Sequence, residues 1–512
     1  MNNRIRRLGL VIFVLFAVLF AQLNRLQVFG ATELRESPTN TRPLVADFGA
    51  FRGEIRSDDG TVLAVSEPLD DGRFEHRRRY PLGALAAEVT GFVSFQSGND
   101  GLEASMNDLL QADTQGASAA LATLLGAEDS AAHVQTTLSI SLQEVARELL
   151  GERRGSVVIL DAQSGAIRTL FSWPTYDPNP LADTDGDAAA QARQALLADP
   201  ARPLLPRTYR EVFFPGSTFK LVAAAAALEE RVVSLDEPVF AEVDTYTPPL
   251  TDRALTNFGG STCGGPLSDL IRSSCNTGFA QLAVELLGPD ALIDVAEAIG
   301  FNDELDVELP NVAASTVPTD FGPALGGDVE LSVELAGQLD GPGTVELTGD
   351  IPRLAQVALG QNDVQATPLQ MALVAASIAN DGVVPSLNIV SHTIDAGGRE
   401  TNVFDLDPAG RAFSRETAAD LRLAMLGVVE DGTGQAMAID GLVVGAKTGT
   451  AQLGPESTSQ HAWAVAFAGT DIGRPDIAIA VLVEADETAG EQTGGRVAGP
   501  VVARLIEAWA EQ

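Results

Sequence analysis

The sequence predicts an α+β body held behind an N-terminal membrane anchor and a small β-rich module. Three observations predict this. An uncharged apolar run opens the chain, turn signals punctuate short β-like runs after it, and strand-like text at 155–173 and 462–485 encloses a long helix-rich middle. With 512 residues, 45% of them hydrophobic, the chain can bury at least one large core and divide into two or three domains. Its net charge of −37 argues against nucleic acid or anionic lipid as a partner of the main body.

The anchor comes first. Arg4, Arg6 and Arg7 precede an uncharged run from Leu8 to Asn24, dense in aliphatic side chains and phenylalanine. About 20 residues at a rise of about 1.5 Å cross a hydrocarbon layer. No small-x-small cleavage site follows Phe20 and amphipathic residues continue to Phe29, which favours an uncleaved anchor over a cleaved signal peptide. The leading arginines then leave 1–7 as a cytoplasmic tail, 8–29 as a single span of the plasma membrane and the body outside.

A module and linker over 30–133 follow. Its start, 31–43, is polar and stalk-like, and Asp59-Gly60 between apolar runs marks a hairpin. Residues 114–133 are mostly small or polar, as in a linker or loose helix. The catalytic body is expected over 134–512. It begins with a strand and an amphipathic helix N-capped by Ser141, then two β runs joined by a turn over 155–173. Acidic excursions fall at 179–203, a surface loop or short helix, and at 326–350, a strong helix starts near Phe219, and strands and a helix close the chain.

Of 33 basic residues only Lys220 and Lys447 are lysine. An amine can be held neutral and accept a proton, whereas guanidinium effectively cannot. Lys220 ends the stretch GSTFK, one turn after Ser217, so hydroxyl and amine share a helix face near free backbone N–H groups. A neutral Lys220 would activate Ser217 as a nucleophile, although an N-cap serine beside a solvated lysine is the commoner meaning of such a pair. Lys447 lies in GAKTGTAQ with Thr448, Gly449 and Thr450, suited to a strand edge that grips a carboxylate or to an ordinary turn. Ser274 and Asn276 interrupt helix-like text in SSCNTGF. Cys263 and Cys275 are a short-range disulfide candidate in an oxidising compartment, with free thiols equally open. Two cysteines and the four scattered histidines 76, 133, 392 and 461 offer no metal-ligand spacing.

Ser-x-x-Lys, Ser-x-Asn and Lys-Thr-Gly in this order are the motif set of penicillin-binding proteins and related serine β-lactamases. The chain resembles the monofunctional, class B peptidoglycan transpeptidases over nearly everything after the anchor, including RGEIRSDDGTVLA, the 155–179 strands and ALGQNDVQATPLQ. It departs from their usual pattern at Phe214, Asn362 and Ala446.

The resemblance implies an antiparallel sheet flanked by helices and attack by Ser217 on the bond between two D-alanines of a stem peptide. Lys220 is then the base, Ser274 a proton relay and Asn276 a holder of the donor strand. Lys447, Thr448, Gly449 and Thr450 shape the carboxylate pocket, and backbone N–H groups of Ser217 and Thr450 form the oxyanion hole. It further implies inhibition by β-lactams, no metal or cofactor, and a SEDS-type glycosyltransferase as partner. D,D-carboxypeptidase, β-lactamase-like hydrolase and a silent division or elongation scaffold are the alternatives. Length, anchor and the intact motifs favour the transpeptidase.

Overall fold

A computed structural model describes residues 2–25, 48–70, 74–111, 131–323, 349–401, 407–452, 460–486 and 492–512, with short pieces at 328–330, 344–346 and 404. The stalk at 31–43 and most of the 114–133 and 326–350 segments lie outside them.

The N-terminal run forms helix α1 (Asn2–Asn24), whose apolar side chains from Leu8 to Phe20 are exposed. Among the described residues no helix is long and apolar enough to cross a membrane, and the expected span at 8–29 continues past them.

Two sheets follow. The first is assembled from β1 (Ile55–Arg56), β2 (Val62–Pro68), β3 (His76–Arg79), β4 (His133–Thr136), β7 (Val390–Ile394) and β8 (Glu400–Thr401), in the order β8-β7-β4-β1-β2-β3. The turn at Asp59-Gly60 joins β1 to β2 as an antiparallel pair, with φ +84° at Gly60. This sheet takes strands from both sides of residue 133, because β4 pairs in parallel with β1 and antiparallel with β7. Under the sheet Glu103 is fully buried between Arg52 and Arg78, at 2.9 and 2.5 Å. Burial alone would raise its carboxyl, but the two guanidinium groups outweigh it and hold the group ionised.

The second sheet contains β5 (Gly155–Asp161), β6 (Ile167–Trp173), β9 (Val443–Gln452), β10 (Gln460–Gly469) and β11 (Ile477–Val483). Its order is β9-β10-β11-β5-β6, antiparallel throughout, so the last strands of the chain close against the first strands of the body. The apolar runs are covered on both faces, and the period of two sorts them. Val158, Leu160, Ala480 and Leu482 join the core that also holds α4 (Lys220–Glu229) and α7 (Pro368–Ala379). Val157, Ile159, Ile479 and Val481 pack with α2 (Ile140–Leu150) and α8 (Gly499–Ala510). Each valine, leucine or isoleucine among them contributes about 1.5–3 kcal/mol when fully buried.

One local expectation is corrected. Ser139, not Ser141, occupies the N-cap position of α2, and it makes no capping bond; the two hydroxyls lie 3.0 Å apart instead. The first acidic excursion is a helix, α3 (Gly186–Ala198), N-capped by the Asp185 carboxylate and largely solvent-facing. Asn362, in place of the usual glycine, adopts φ +66°, a left-handed conformation that asparagine tolerates better than most residues.

Candidate active site

Ser217 sits in a 3₁₀ turn, Gly216–Thr218, that runs into α4. Three bonds pin the approach to it. Phe213 N–H donates to Ala366 O at 3.0 Å, Gly216 N–H to Gly360 O at 2.9 Å, and Trp463 Nε1–H to Phe214 O at 3.0 Å. Gly216 has φ +54°, and a methyl group added to it would meet Thr450 O at 2.8 Å, so only glycine lets the turn touch β9. That contact shows Thr450 turning its C=O toward the turn. In a strand the N–H and C=O of one residue face the same neighbour, so Thr450 N–H also points off the free edge of the sheet. The Ser217 N–H makes no hydrogen bond among the described residues. Two donors thus border one space.

The second motif is built by a helix break. α5 (Leu267–Ser273) ends where Ser274 takes the left-handed conformation, φ +60° and ψ +40°, and α6 (Asn276–Leu282) begins two residues on. Cys275 N–H returns to Leu270 O at 2.9 Å and closes the break. Cys275 is also joined to Cys263 by a disulfide, with Cα atoms 5.8 Å apart. The bond fastens the residue between Ser274 and Asn276 to a neighbouring strand, Cys263–Gly265.

The two lysines meet at this break. Lys220 is fully buried, and its Nζ donates to Ser274 O and to Asn276 Oδ1, each at 2.7 Å. A neutral amine has two N–H donors and one lone pair, so these acceptors use both donors and leave the lone pair free. Desolvation, then the charge of Lys447, holds the Lys220 amine well below its ordinary value. The Ser217 hydroxyl is not a hydrogen-bond partner of that amine in this structure. Catalytic contacts of this kind commonly tighten only when substrate binds.

Lys447, on β9, is fully buried and turns its amine to the same break, donating to Ser274 Oγ at 2.8 Å and to Thr448 O at 3.0 Å. Burial brings its pKa to about 7. Thr448 pairs its hydroxyl with that of Thr433 at 2.6 Å, a partner that the Asp-Gly-Thr-Gly turn text gave no reason to single out. Gly449 lies across from Trp463 and Thr450 from Ala462, with Ala446 buried upstream.

A stability prediction follows from Lys447. Its amine is protonated in the unfolded chain up to pH about 10.5 and loses its proton near 7 when folded. The unfolded state binds the extra proton, so stability rises with pH between about 7 and 10. Lys447→Met is expected to remove close to one proton's worth of that slope, measured as unfolding free energy against pH. An unchanged slope would place the titration elsewhere.

Comparison with known proteins agrees with this geometry. Residues 155–507 match the penicillin binding protein transpeptidase domain, and 52–134 match a penicillin binding protein A dimerisation domain. The chain is 35% identical to the peptidoglycan D,D-transpeptidase PbpA of Mycolicibacterium smegmatis over 99% of both chains. It is 34% identical, with the same coverage, to PbpA of Mycobacterium tuberculosis. The solved ceftriaxone acyl-enzyme of penicillin-binding protein A from M. tuberculosis superposes with TM-score 0.77 at 32% identity, covering 91% of this chain and 99% of that one. A penicillin G acyl-enzyme of that protein superposes with TM-score 0.76. The shared fold, the full-length identity and the three motifs converge, and the chain belongs to the penicillin-binding protein transpeptidase family, in its class B branch.

Proposed function

We propose that the chain is a peptidoglycan D,D-transpeptidase that cross-links stem peptides ending in D-Ala-D-Ala through an acyl-enzyme on Ser217, and that β-lactams acylate the same hydroxyl. The observation that carries this reading is the buried Lys220 amine, with both N–H groups engaged and its lone pair left over, one turn from Ser217. Ser217 Oγ attacks the carbonyl between the two D-alanines as its proton passes to Lys220 Nζ. The oxyanion forms between the N–H groups of Ser217 and Thr450, each such donor typically worth about 3 kcal/mol of barrier. The C–N bond then breaks and the leaving D-alanine nitrogen takes a proton through Ser274 Oγ, which Lys447 holds at 2.8 Å. An amine of a neighbouring stem attacks the ester, losing a proton to the same relay, and releases Ser217.

Asn276 holds the donor strand, while Thr448, Gly449 and Thr450 form the edge that meets the terminal carboxylate. Lys447, bonded to Ser274 Oγ, assists beside that edge, since an arriving carboxylate favours its protonated form. The apolar stretch of α1 from Leu8 onward, with Arg4, Arg6 and Arg7 in its first turns, supports a single-pass plasma-membrane anchor over 8–29, N-terminus inside and catalytic body outside. In that setting a SEDS-type glycosyltransferase is the expected partner of anchor and N-terminal module.

The test is to supply the full-length chain with lipid II and a glycosyltransferase and to score cross-linked product against free D-alanine. Cross-links that disappear in Ser217→Ala are expected. Release of D-alanine without cross-links would make the enzyme a carboxypeptidase, and neither product would sink the enzymatic reading.

A further inference from the structure

The site just described depends on where α6 starts, and that start is set by a residue from outside the three motifs. The N-cap position of α6, Cys275, supplies no side-chain cap, so the first N–H groups of the helix need acceptors from elsewhere. Asn257, only 4% exposed, provides them: its Oδ1 accepts from Asn276 N–H and Thr277 N–H, each at 3.0 Å. Its Nδ2 donates to Val243 O at 2.9 Å, to Ser261 O at 3.0 Å and toward Thr277 Oγ1 at 3.2 Å. The orientation of the amide is unique, because its oxygen faces two donors and its nitrogen two carbonyls.

We propose that Asn257 is a positioning residue for acyl transfer: one side-chain amide fixes the start of α6 against the strand at Phe240–Val243, and so sets Asn276 Oδ1 where it holds the Lys220 amine. The inference rests on the proposed roles of Ser217 and Lys220. Hydrogen bonds run from Val243 O to Asn257 and from Asn257 to the backbone of Asn276, whose own side chain then carries the path by a further hydrogen bond to Lys220. No substitution short of another amide reproduces both halves. Alanine loses all of them. Aspartate keeps the two acceptor bonds but has no N–H for Val243 or Ser261, and it adds a negative charge close to the Lys220 amine, where Lys447 is the charged group already facing it.

The experiment measures the second-order rate of acylation by a labelled penicillin against pH, with melting temperature, for wild type, Asn257→Ala and Asn257→Asp. Asn257→Ala is expected to acylate about 10–100-fold more slowly at every pH, as a base displaced by a fraction of an ångström to an ångström would. In Asn257→Asp the added carboxylate favours protonated Lys220, so the acid limb of the profile moves to higher pH and alkaline pH restores much of the rate. A residue that merely supports the fold would lower the melting temperature without moving that limb. Should Asn257→Ala fail to fold, Asn257→Asp decides alone: wild-type rate and limb overturn the proposal. Wild type that takes no label overturns the reading of Ser217 instead, whereas labelled wild type with unaltered variants overturns Asn257 only.

Discussion

Replacing Lys220 by arginine is expected to lower the rate of Ser217 acylation by about 10³- to 10⁴-fold, the usual contribution of a positioned general base at its upper end. Guanidinium stays charged at any working pH, so it has no lone pair to receive the serine proton. The same substitution forces a permanent charge into a site with no carboxylate among its hydrogen-bond partners, only Ser274 O and Asn276 Oδ1. Lys220→Met separates the two effects, since it keeps the apolar stem without a charge and should be equally inactive while folded. In wild type the neutral amine is the working form. Acylation is therefore flat above, and falls as pH drops through, a pKa that burial and Lys447 hold well below 10.5. A wild-type rate that instead climbed tenfold per pH unit up to pH 10 would mean an ordinary, solvated lysine.

The second large effect is expected at Ser274, where backbone and hydroxyl can be tested apart. The residue holds φ +60°, a conformation that costs a side chain with Cβ about 1–2 kcal/mol. Its hydroxyl accepts from Lys447 and its carbonyl from Lys220. Ser274→Gly keeps the carbonyl in place and relieves the strain, yet removes the proton relay. It should melt at or above the wild-type temperature while turning over stem peptide about 10²- to 10⁴-fold more slowly. Ser274→Ala should lose the same activity and gain no stability. If Ser274→Gly cross-linked at the wild-type rate, the leaving group would draw its proton from another source.

The three motifs were legible because their chemistry is tied to residue type. In a chain that uses arginine 31 times, lysine persists at two places where a neutral amine serves and guanidinium does not. The antiparallel pair at 155–173, the hairpin at Asp59-Gly60 and the closure of the sheet by the last strands were legible from turn residues and β-branched runs. What the residues did not disclose depends on distant partners. The burial of Lys447 is set by packing on both sides of β9, which no local pattern encodes. Ser139 and Ser141 are equivalent as local N-cap candidates, and the path of the chain into α2 chose the former. The six-stranded sheet joins β4 to β7 across more than 250 positions, a pairing that no local pattern encodes. Asn257 and Thr433 stand in loop text rich in glycine, where polar side chains are too common to carry a signal.

The most direct test treats the purified wild-type chain with penicillin, digests it and locates the added mass by mass spectrometry. One adduct, on the peptide containing Ser217 and absent from Lys220→Arg, is the predicted result. A folded wild type that gains no mass, or carries it on another residue, would contradict the assignment of Ser217 and Lys220 together.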